Sequence, residues 1–526
     1  MKNLSLQEKI GQLIVVRTTG YLFDHQIRYP AWEANNQQLQ TWLWEYNIGG
    51  VILLGGSCAE IAQRTKQLND WAKTPLLVAA DIEEGVGQRF TGASWFPPPM
   101  ALAQIARDDM ELAKKYAQQM GQITAHEALS MGVNWILAPV VDVNNNPDNP
   151  VINVRAFGDN PEVVRELSSA FIRGTQCYPI LNGAKHFPGH GDTSTDSHLD
   201  LPIINHSPAR LEEIELVPFQ GAIALGIDAI MTAHLLVKAY DNQNPATLSH
   251  AILTQQLREN MGFDGLIVTD ALIMGGVAKY APPEKIAVKA LQAGADILLM
   301  PENPLIAIQS IMEAVERGEI TESRIDESLQ RIERAKGKLS HIPPDVSFSE
   351  ISNSTSQGVV KEILIQSNQT KVLKSVKKVD QGINIVVVDD LLNCDFLDRQ
   401  TPAITIPATF GYHCQVFDQR NLHIWENQPI NQPFILQVFI RGNPFRGSAG
   451  LSAIALKTYT KLLQDPQIQG VMVYGSPYIK EWFTQQLKQN LPWAFSYGQM
   501  AIAQQLLCEQ IFQISTNLDI NKGNFL

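Results

Sequence analysis

The feature that most limits how this chain can fold is a beat of eight short apolar, β-branched runs. They are "QLIVVRT" (12–18), "GGVILLG" (49–55), "PLLVAAD" (75–81), "NWILAPVVDV" (134–143), "GAKHF" (183–187), "AIMTAHLLV" (229–237), "GLIVTDA" (265–271) and "ADILLMP" (295–301). Between them lie patterns such as "MELAKKYAQQMGQITAHEALSMG", "EVVRELSSAFIRGTQ" and "EKIAVKALQAGA", with apolar residues at the i, i+3, i+4, i+7 spacing of a helix. Near-continuous apolar strands are buried on both faces, and their alternation with amphipathic helices makes the sheet parallel. Eight such units in roughly 300 residues predict a (β/α)8 TIM barrel. A doubly wound open sheet is the runner-up, but no G-x-G-x-x-G fingerprint follows any of the runs. Helix starts agree with the scheme. Ser5 with Glu8 makes an S-x-x-E capping box, and Ser249 stands at the N-cap position of "SHAILTQQLRENMGF".

The barrel accounts for residues 1–340, and 526 residues are too many for one core. "SHIPPDVSFSEISNSTSQG" (340–358) is rich in Ser and Pro, which predicts a linker over 341–360. Beyond it, "INIVVVDD" (383–390), "FILQVFIRG" (434–442) and "GVMVYGSP" (470–477) alternate with helical patterns. Residues 361–526 are therefore expected to form a smaller three-layer αβα domain.

Partners are narrowed by charge. A formal charge of −12 opposes nonspecific attraction to nucleic acid or anionic lipid. "MKNLSLQEKIGQLIVV" lacks the parts of a secretory signal, and no apolar run approaches the ~20 residues that span a bilayer, so the cytoplasm is the expected compartment. Cys58, Cys177, Cys394, Cys414 and Cys508 are odd in number and contain no C-x-x-C pair, and are read as reduced core residues. The sequence leaves the oligomeric state open.

In a barrel of this kind the chemistry sits at the C-terminal ends of the strands. Those ends carry Asp81 after the third run, Asp142 with Arg155 after the fourth, Lys185 and His186 on the fifth, His234 on the sixth, Asp270 on the seventh and Glu302 after the eighth. An Asp ending a strand is commonly a turn former, and Asp142 and Glu302 are read that way.

"AKHFPGHGDTSTDSH" (184–198) is the densest polar stretch. His186, His190, Asp192, Asp196 and His198 are metal-ligand types, but the Pro/Gly-bearing loop lacks the helical spacing of H-E-x-x-H, so no metal is expected. Asp196 and His198 are two residues apart, so on an extended loop the carboxylate can hold one imidazole nitrogen and leave the other to exchange a proton. Asp270, expected to stand across the mouth, supplies a rigid carboxylate. A retaining glycosidase needs this division of labour, one group attacking the anomeric carbon and the other handling the proton.

These residues resemble glycoside hydrolase family 3, in particular its β-N-acetylglucosaminidase branch, over roughly residues 5–340. "KHFPGHGDTSTDSHLDLP" matches the KHFPGHG motif and the D-S-H dyad, "GFDGLIVTDALIM" the nucleophile strand, and "VRAFGDNP" the R-x-F-G segment. The resemblance implies retaining cleavage of terminal β-linked N-acetylglucosamine from cell-wall fragments. Asp270 would be the nucleophile, His198 the acid/base and Asp196 its partner. Asp81, Arg89, Arg155, Lys185 and His186 would bind sugar hydroxyls, and His234 is expected to face the same pocket. No cofactor is implied. In "DIEEGVGQRF" the family usually reads D-x-E-G-G-x-V-Q-R-F, so Glu84 and Gly87 depart from it and alter the loop on which leaving-group preference depends. Relatives acting on plain β-glucosides are a second possibility, as is a phosphorylase, since an imidazole in place of a second carboxylate lets an anion approach. A carbohydrate-binding protein without turnover is the alternative from another class. For the second domain the expectation is structural, shielding the mouth or mediating self-association.

Overall fold

The computed structural model describes residues 4–339, 347–418, 420–426, 429–442 and 448–514. It divides into two compact units, the first ending at Val360 and the second beginning at Lys361.

All eight expected strands are present in the first unit: β1 (Ile14–Thr19), β2 (Gly50–Leu54), β3 (Leu77–Ala80), β4 (Trp135–Ile136), β5 (Leu181–Phe187), β6 (Ala229–Thr232), β7 (Leu266–Val268) and β8 (Leu298–Leu299). They pair in parallel in the order β8-β1-β2-β3-β4-β5-β6-β7. A parallel bridge between Val268 and Ile297 joins the last to the first and closes the barrel. The strands read as unbroken apolar runs because both faces are buried; Ile14, Val15, Val51, Leu77, Val78, Ile136 and Ile267 are wholly inaccessible. Ser5 Oγ accepts Glu8 N while Glu8 returns a bond to Ser5 N, and Ser249 Oγ accepts Ile252 N, as the capping signals require.

One irregularity matters for the site. The register of β5 against β6 shifts between Lys185 and Phe187, so His186 is skipped in the ladder. Successive side chains on a regular strand point to opposite faces, and a bulge of this kind re-aims them. Past the ends of β5 and β6, Ile203–Ile204 pairs in parallel with Leu236–Val237, a short ribbon over the mouth.

The linker expectation needs correction. Residues 340–346 lie outside the described residues, but 348–350 form a helical turn and Ser354–Ser367 a full helix. Val359, Val360, Ile363 and Leu364 are buried, and their i, i+1, i+4, i+5 spacing is a helical stripe that the neighbouring Ser and Gly residues mask in composition.

The second unit holds a six-stranded sheet in the order Gln369–Lys371, Trp493–Ser496, Ile468–Gly475, Phe434–Ile440, Gly382–Val388, Tyr412–Phe417, parallel except for the first pair. Val386, Val388, Ile435, Phe439, Met472 and Tyr474 share one core cluster with Leu507, Cys508 and Ile511 of the helix Ala501–Phe512. Ile385, Val387, Leu436, Val438 and Val471, alternating with them, are equally buried, so helices cover both faces.

Candidate active site

Two acids and two bases meet at the ends of β3, β4 and β5. Asp81 follows β3 directly, and its Oδ1 accepts Lys185 Nζ at 2.7 Å. Glu83 is buried, receives Arg155 Nε at 2.8 Å and Nη2 at 2.7 Å on its two oxygens, and its Oε1 lies 2.6 Å from Lys185 Nζ. Burial alone would raise the Glu83 carboxyl, but Arg155 and Lys185 hold it well below the carboxylate range. Burial likewise works against charge on Lys185, and Asp81 with Glu83 reverses it, so the ammonium is raised. Arg155 also donates Nη1 to the Val151 carbonyl, and Arg89 donates Nε to the Asp81 carbonyl at 3.0 Å. The result is a fixed set of charged donors and acceptors that pay no reorganisation cost when a polyhydroxylated ligand arrives.

Asp142 is the first departure from expectation. It is no exposed turn former but a fully buried carboxylate, accepting the backbone N–H of His190 at 2.7 Å and that of His186 at 3.1 Å, with His186 Nδ1 at 2.7 Å. Burial would raise it; His186 and His190 lower it below its ordinary value. Asp142 thus orients His186 and anchors the start of the 188–198 loop together. Asn149 adds to this by donating Nδ2 to the carbonyls of His190 and Gly191. Glu302, by contrast, is exposed.

His190 is buried inside the loop, Nδ1 2.9 Å from Thr193 Oγ1 and Nε2 2.8 Å from Ser197 Oγ, and burial pushes its imidazole down to about 4. Through Ser197 it braces the Asp196–His198 turn. Asp196 is buried, and its Oδ1 accepts both the backbone N–H and the Nδ1–H of His198 at 2.9 Å.

Asp270, two residues past β7, is partly exposed, with Oδ1 taking the Ala271 N–H at 2.7 Å. Burial would raise its carboxyl, but the imidazoles of His186, His234 and His198 together with that N–H bring it below the usual range. The loop bearing His198 is tied to the turn after Asp270 by two backbone bonds, Gly275 N to His198 O at 3.1 Å and Gly276 N to Ser197 O at 3.0 Å.

His234 is placed differently from its expectation. It is wholly buried, Nε2 3.0 Å from the Ala271 carbonyl and Nδ1 2.8 Å from Thr247 Oγ1. A carbonyl only accepts, so Nε2 carries a proton, and burial lowers the ring below the ordinary imidazole value. Both nitrogens are thus used in holding the Asp270–Ala271 peptide, which leaves neither for a sugar hydroxyl.

Asp192 of the histidine loop turns away from the other ligand types there and toward His206. Among the described residues, the group of three acids and imidazoles whose ligand atoms all lie within 4.8 Å of one another is Asp192, His206 and Glu215. Arg210 already sits among them, 2.8 Å from Glu215 and 3.7 Å from Asp192. Of the cysteines, Cys58 and Cys508 are buried as expected, Cys394 and Cys414 are half-buried and Cys177 is exposed.

Residues 5–335 match the model of the glycosyl hydrolase family 3 N terminal domain, and residues 375–513 that of the bacterial glycosyl hydrolase family 3 C-terminal domain. The chain belongs to glycosyl hydrolase family 3. A beta-hexosaminidase A from Pseudoalteromonas piscicida is 34% identical over 353 residues, 60% of this family 3 chain and 57% of that protein, so the chain spans little more than half of its length. A beta-hexosaminidase from Tolumonas auensis is 38% identical over 260 residues, 49% of this chain and 76% of that protein. A solved family 3 beta-N-acetylglucosaminidase from a Paenibacillus is 27% identical with a TM-score of 0.78, covering 97% of both chains.

Within this family 3 chain both departures in "DIEEGVGQRF" stand against residues 93–96. Glu84 Oε2 accepts Trp95 Nε1 at 3.0 Å, pulling the loop onto residues 93–96. At Gly87 a Cβ would stand 2.5 Å from the Ala93 carbonyl, so only glycine permits that approach.

Proposed function

We propose that this chain is a retaining glycoside hydrolase that removes terminal β-linked N-acetylglucosamine through a covalent glycosyl-aspartate intermediate. The observation that supports the reading is the docking of the Asp196–His198 turn onto the segment after Asp270, which brings the chain carrying the dyad against the chain carrying that carboxylate. Asp270 attacks the anomeric carbon as its bond to the leaving oxygen breaks, and His198 Nε2 gives that oxygen a proton. Asp196 on Nδ1 keeps the ring aligned and leaves Nε2 for the proton transfer. In the second step His198 takes a proton from water, the oxygen bonds to the anomeric carbon, and the Asp270 carboxylate departs. The outcome is net retention with one water consumed. Asp81, Arg89, Arg155, Lys185 and His186 take the hydroxyls of the non-reducing sugar, while His234 positions Asp270 from below.

The names of the relatives support an N-acetylhexosamine in that place. Cell-wall fragments handled in the cytoplasm are the substrate source we propose; no helix among the described residues is long and apolar enough to cross a membrane.

The test is turnover of chromogenic β-N-acetylglucosaminide, β-glucoside and β-xyloside, each with and without phosphate, beside Asp270→Ala. Preference for the N-acetyl sugar, indifference to phosphate and loss of turnover in Asp270→Ala are expected. Glucoside preference or phosphate dependence would reassign the substrate or the acceptor, and activity surviving Asp270→Ala would remove the nucleophile.

A further inference from the structure

Beside the site just described, the ends of β1 and β8 and the turn after Asp270 enclose a cavity of 170 Å³ whose walls include Arg17, Trp32, Glu33, Trp42, Ile273 and Met300. Several features set it apart from a packing gap. Arg17 is the one charged residue in the apolar run of β1, and it is kept there by aromatic faces: its guanidinium carbon lies 4.9 Å from the Tyr29 ring centroid and 5.3 Å from that of Trp32. Buried Glu33 pairs with it at 3.3 Å. Met300, in the wall, holds a φ of 48°, a left-handed backbone that a side chain adopts only under constraint and that concentrates at ligand sites. The chain from the end of β1 through the following helix (Asn36–Trp44) is also unusually aromatic, with Tyr21, Phe23, Tyr29, Trp32, Trp42 and Trp44 within 24 residues, and Phe23 and Trp44 stand exposed.

The lining sets the flat faces of Trp32 and Trp42 beside the polar groups of Arg17, Glu33, Gln38 and Asn303. That combination suits a pyranose ring, whose rim carries hydroxyls and whose faces carry C–H bonds polarised toward π surfaces. A buried Glu33 carboxylate opposes a phosphate, and the Arg17–Glu33 pair gives a plain alkyl chain nothing to exchange for its water. Position agrees. The hydroxyl-binding groups occupy β3 to β5 and Asp270 lies past β7, so β8 and β1 border the side of the mouth that the cleaved sugar leaves open.

We propose that this cavity is the leaving-group subsite and takes the second pyranose ring of a β-linked oligosaccharide, the ring released on cleavage. The inference rests on the glycosidase reading above. It makes the enzyme a disaccharide- or longer-chain hydrolase that discriminates among leaving groups by their fit to the cavity.

The test compares two donors: the β-1,4-linked disaccharide of N-acetylglucosamine, and β-N-acetylglucosaminyl fluoride, whose leaving group is too small to use the cavity. Trp32→Ala removes a wall; Ala31→Trp, at an exposed position on the cavity edge, fills the space without touching the core. Both are expected to lower kcat/KM on the disaccharide ten-fold or more, chiefly through KM, and to leave the fluoride within two-fold. An equal loss on both donors, or no loss on either, would overturn the subsite. Disaccharide binding to Asp270→Asn, measured calorimetrically with and without Ala31→Trp, reads the cavity without turnover. Weaker binding with Ala31→Trp supports the subsite even if neither donor is cleaved and the glycosidase reading fails; equal binding sinks it.

Discussion

Asp142 and His186 share three contacts across 44 residues of sequence, a carboxylate oxygen 2.7 Å from the ring Nδ1 and both oxygens within reach of the His186 backbone N–H. The carboxylate therefore fixes ring orientation and makes Nδ1 the donor, leaving Nε2 as the nitrogen it does not hold. Asp142→Asn keeps the shape but replaces one acceptor oxygen by a donor. We expect kcat/KM on a chromogenic β-N-acetylglucosaminide to fall about 100-fold, the scale of a small misplacement at a reacting centre. Asp142→Ala should in addition lower the unfolding free energy by ~1–3 kcal/mol for each buried N–H left without an acceptor, read by urea denaturation. Full activity in Asp142→Asn would return Asp142 to a purely structural role.

The role of Asp142 is illegible in the sequence for a physical reason. Eight strands buried on both faces announce themselves locally, because hydrophobic periodicity is a property of neighbouring residues. The partners of Asp142 lie 44 and 48 residues away, and Glu83 finds Arg155 72 residues away and Lys185 farther still, and no local pattern records them. Glu83 does leave a trace as the third position of D-x-E, overshadowed by the departures beside it. The place of His234 after a strand points it into the pocket, whereas the two bonds that turn it inward come from Thr247 and Ala271. The edge strand Tyr412–Phe417 gives no strand signal because five of its six side chains are half-buried or exposed, which blurs the apolar run.

Glu83 is the acceptor shared by two buried cations. Glu83→Gln removes the negative charge and leaves Lys185 and Arg155 facing Asp81 alone, an arrangement expected to cost about 3–5 kcal/mol of stability. Adding Arg155→Met should recover part of the loss, so the double variant unfolds at a higher urea concentration than the sum of the single changes gives. Strict additivity would show that the pair is not coupled.

His190 makes stability depend on pH in a stated direction. Its imidazole ordinarily titrates at 6.5 and is held at about 4 by burial in the fold. Between these values the unfolded chain takes up a proton that the folded chain refuses, so stability rises with pH across the window and is lost as pH falls from 6.5 to 4. At 1.36 kcal/mol per unit the loss approaches ~3 kcal/mol. Urea midpoints measured from pH 7 to pH 4 should decline more steeply for the parent than for His190→Gln, which lacks the titrating ring. Parallel curves would contradict the assignment.

Gly276 carries the last prediction, because it is where the Asp196–His198 turn rests on the segment after Asp270, the two groups proposed to move the proton and to attack. A Cβ there would stand 2.8 Å from the Ser197 carbonyl and 3.1 Å from that of Asp200, with His234 Cβ at 3.3 Å on the other side. His234 is wholly buried and bonded through both nitrogens, so in Gly276→Ala the turn that contains His198 must give way. The groups on β3 to β5 proposed to bind the sugar lie elsewhere and should be undisturbed. We therefore expect kcat to fall about 100-fold with KM nearly unchanged, and thermal stability to drop by no more than the ~1 kcal/mol of one backbone hydrogen bond. Lys279→Met, which removes only an exposed bond to the Leu199 carbonyl, should change neither. A Gly276→Ala protein whose KM rises while kcat holds would mean that the turn positions substrate and that His198 does not move the proton.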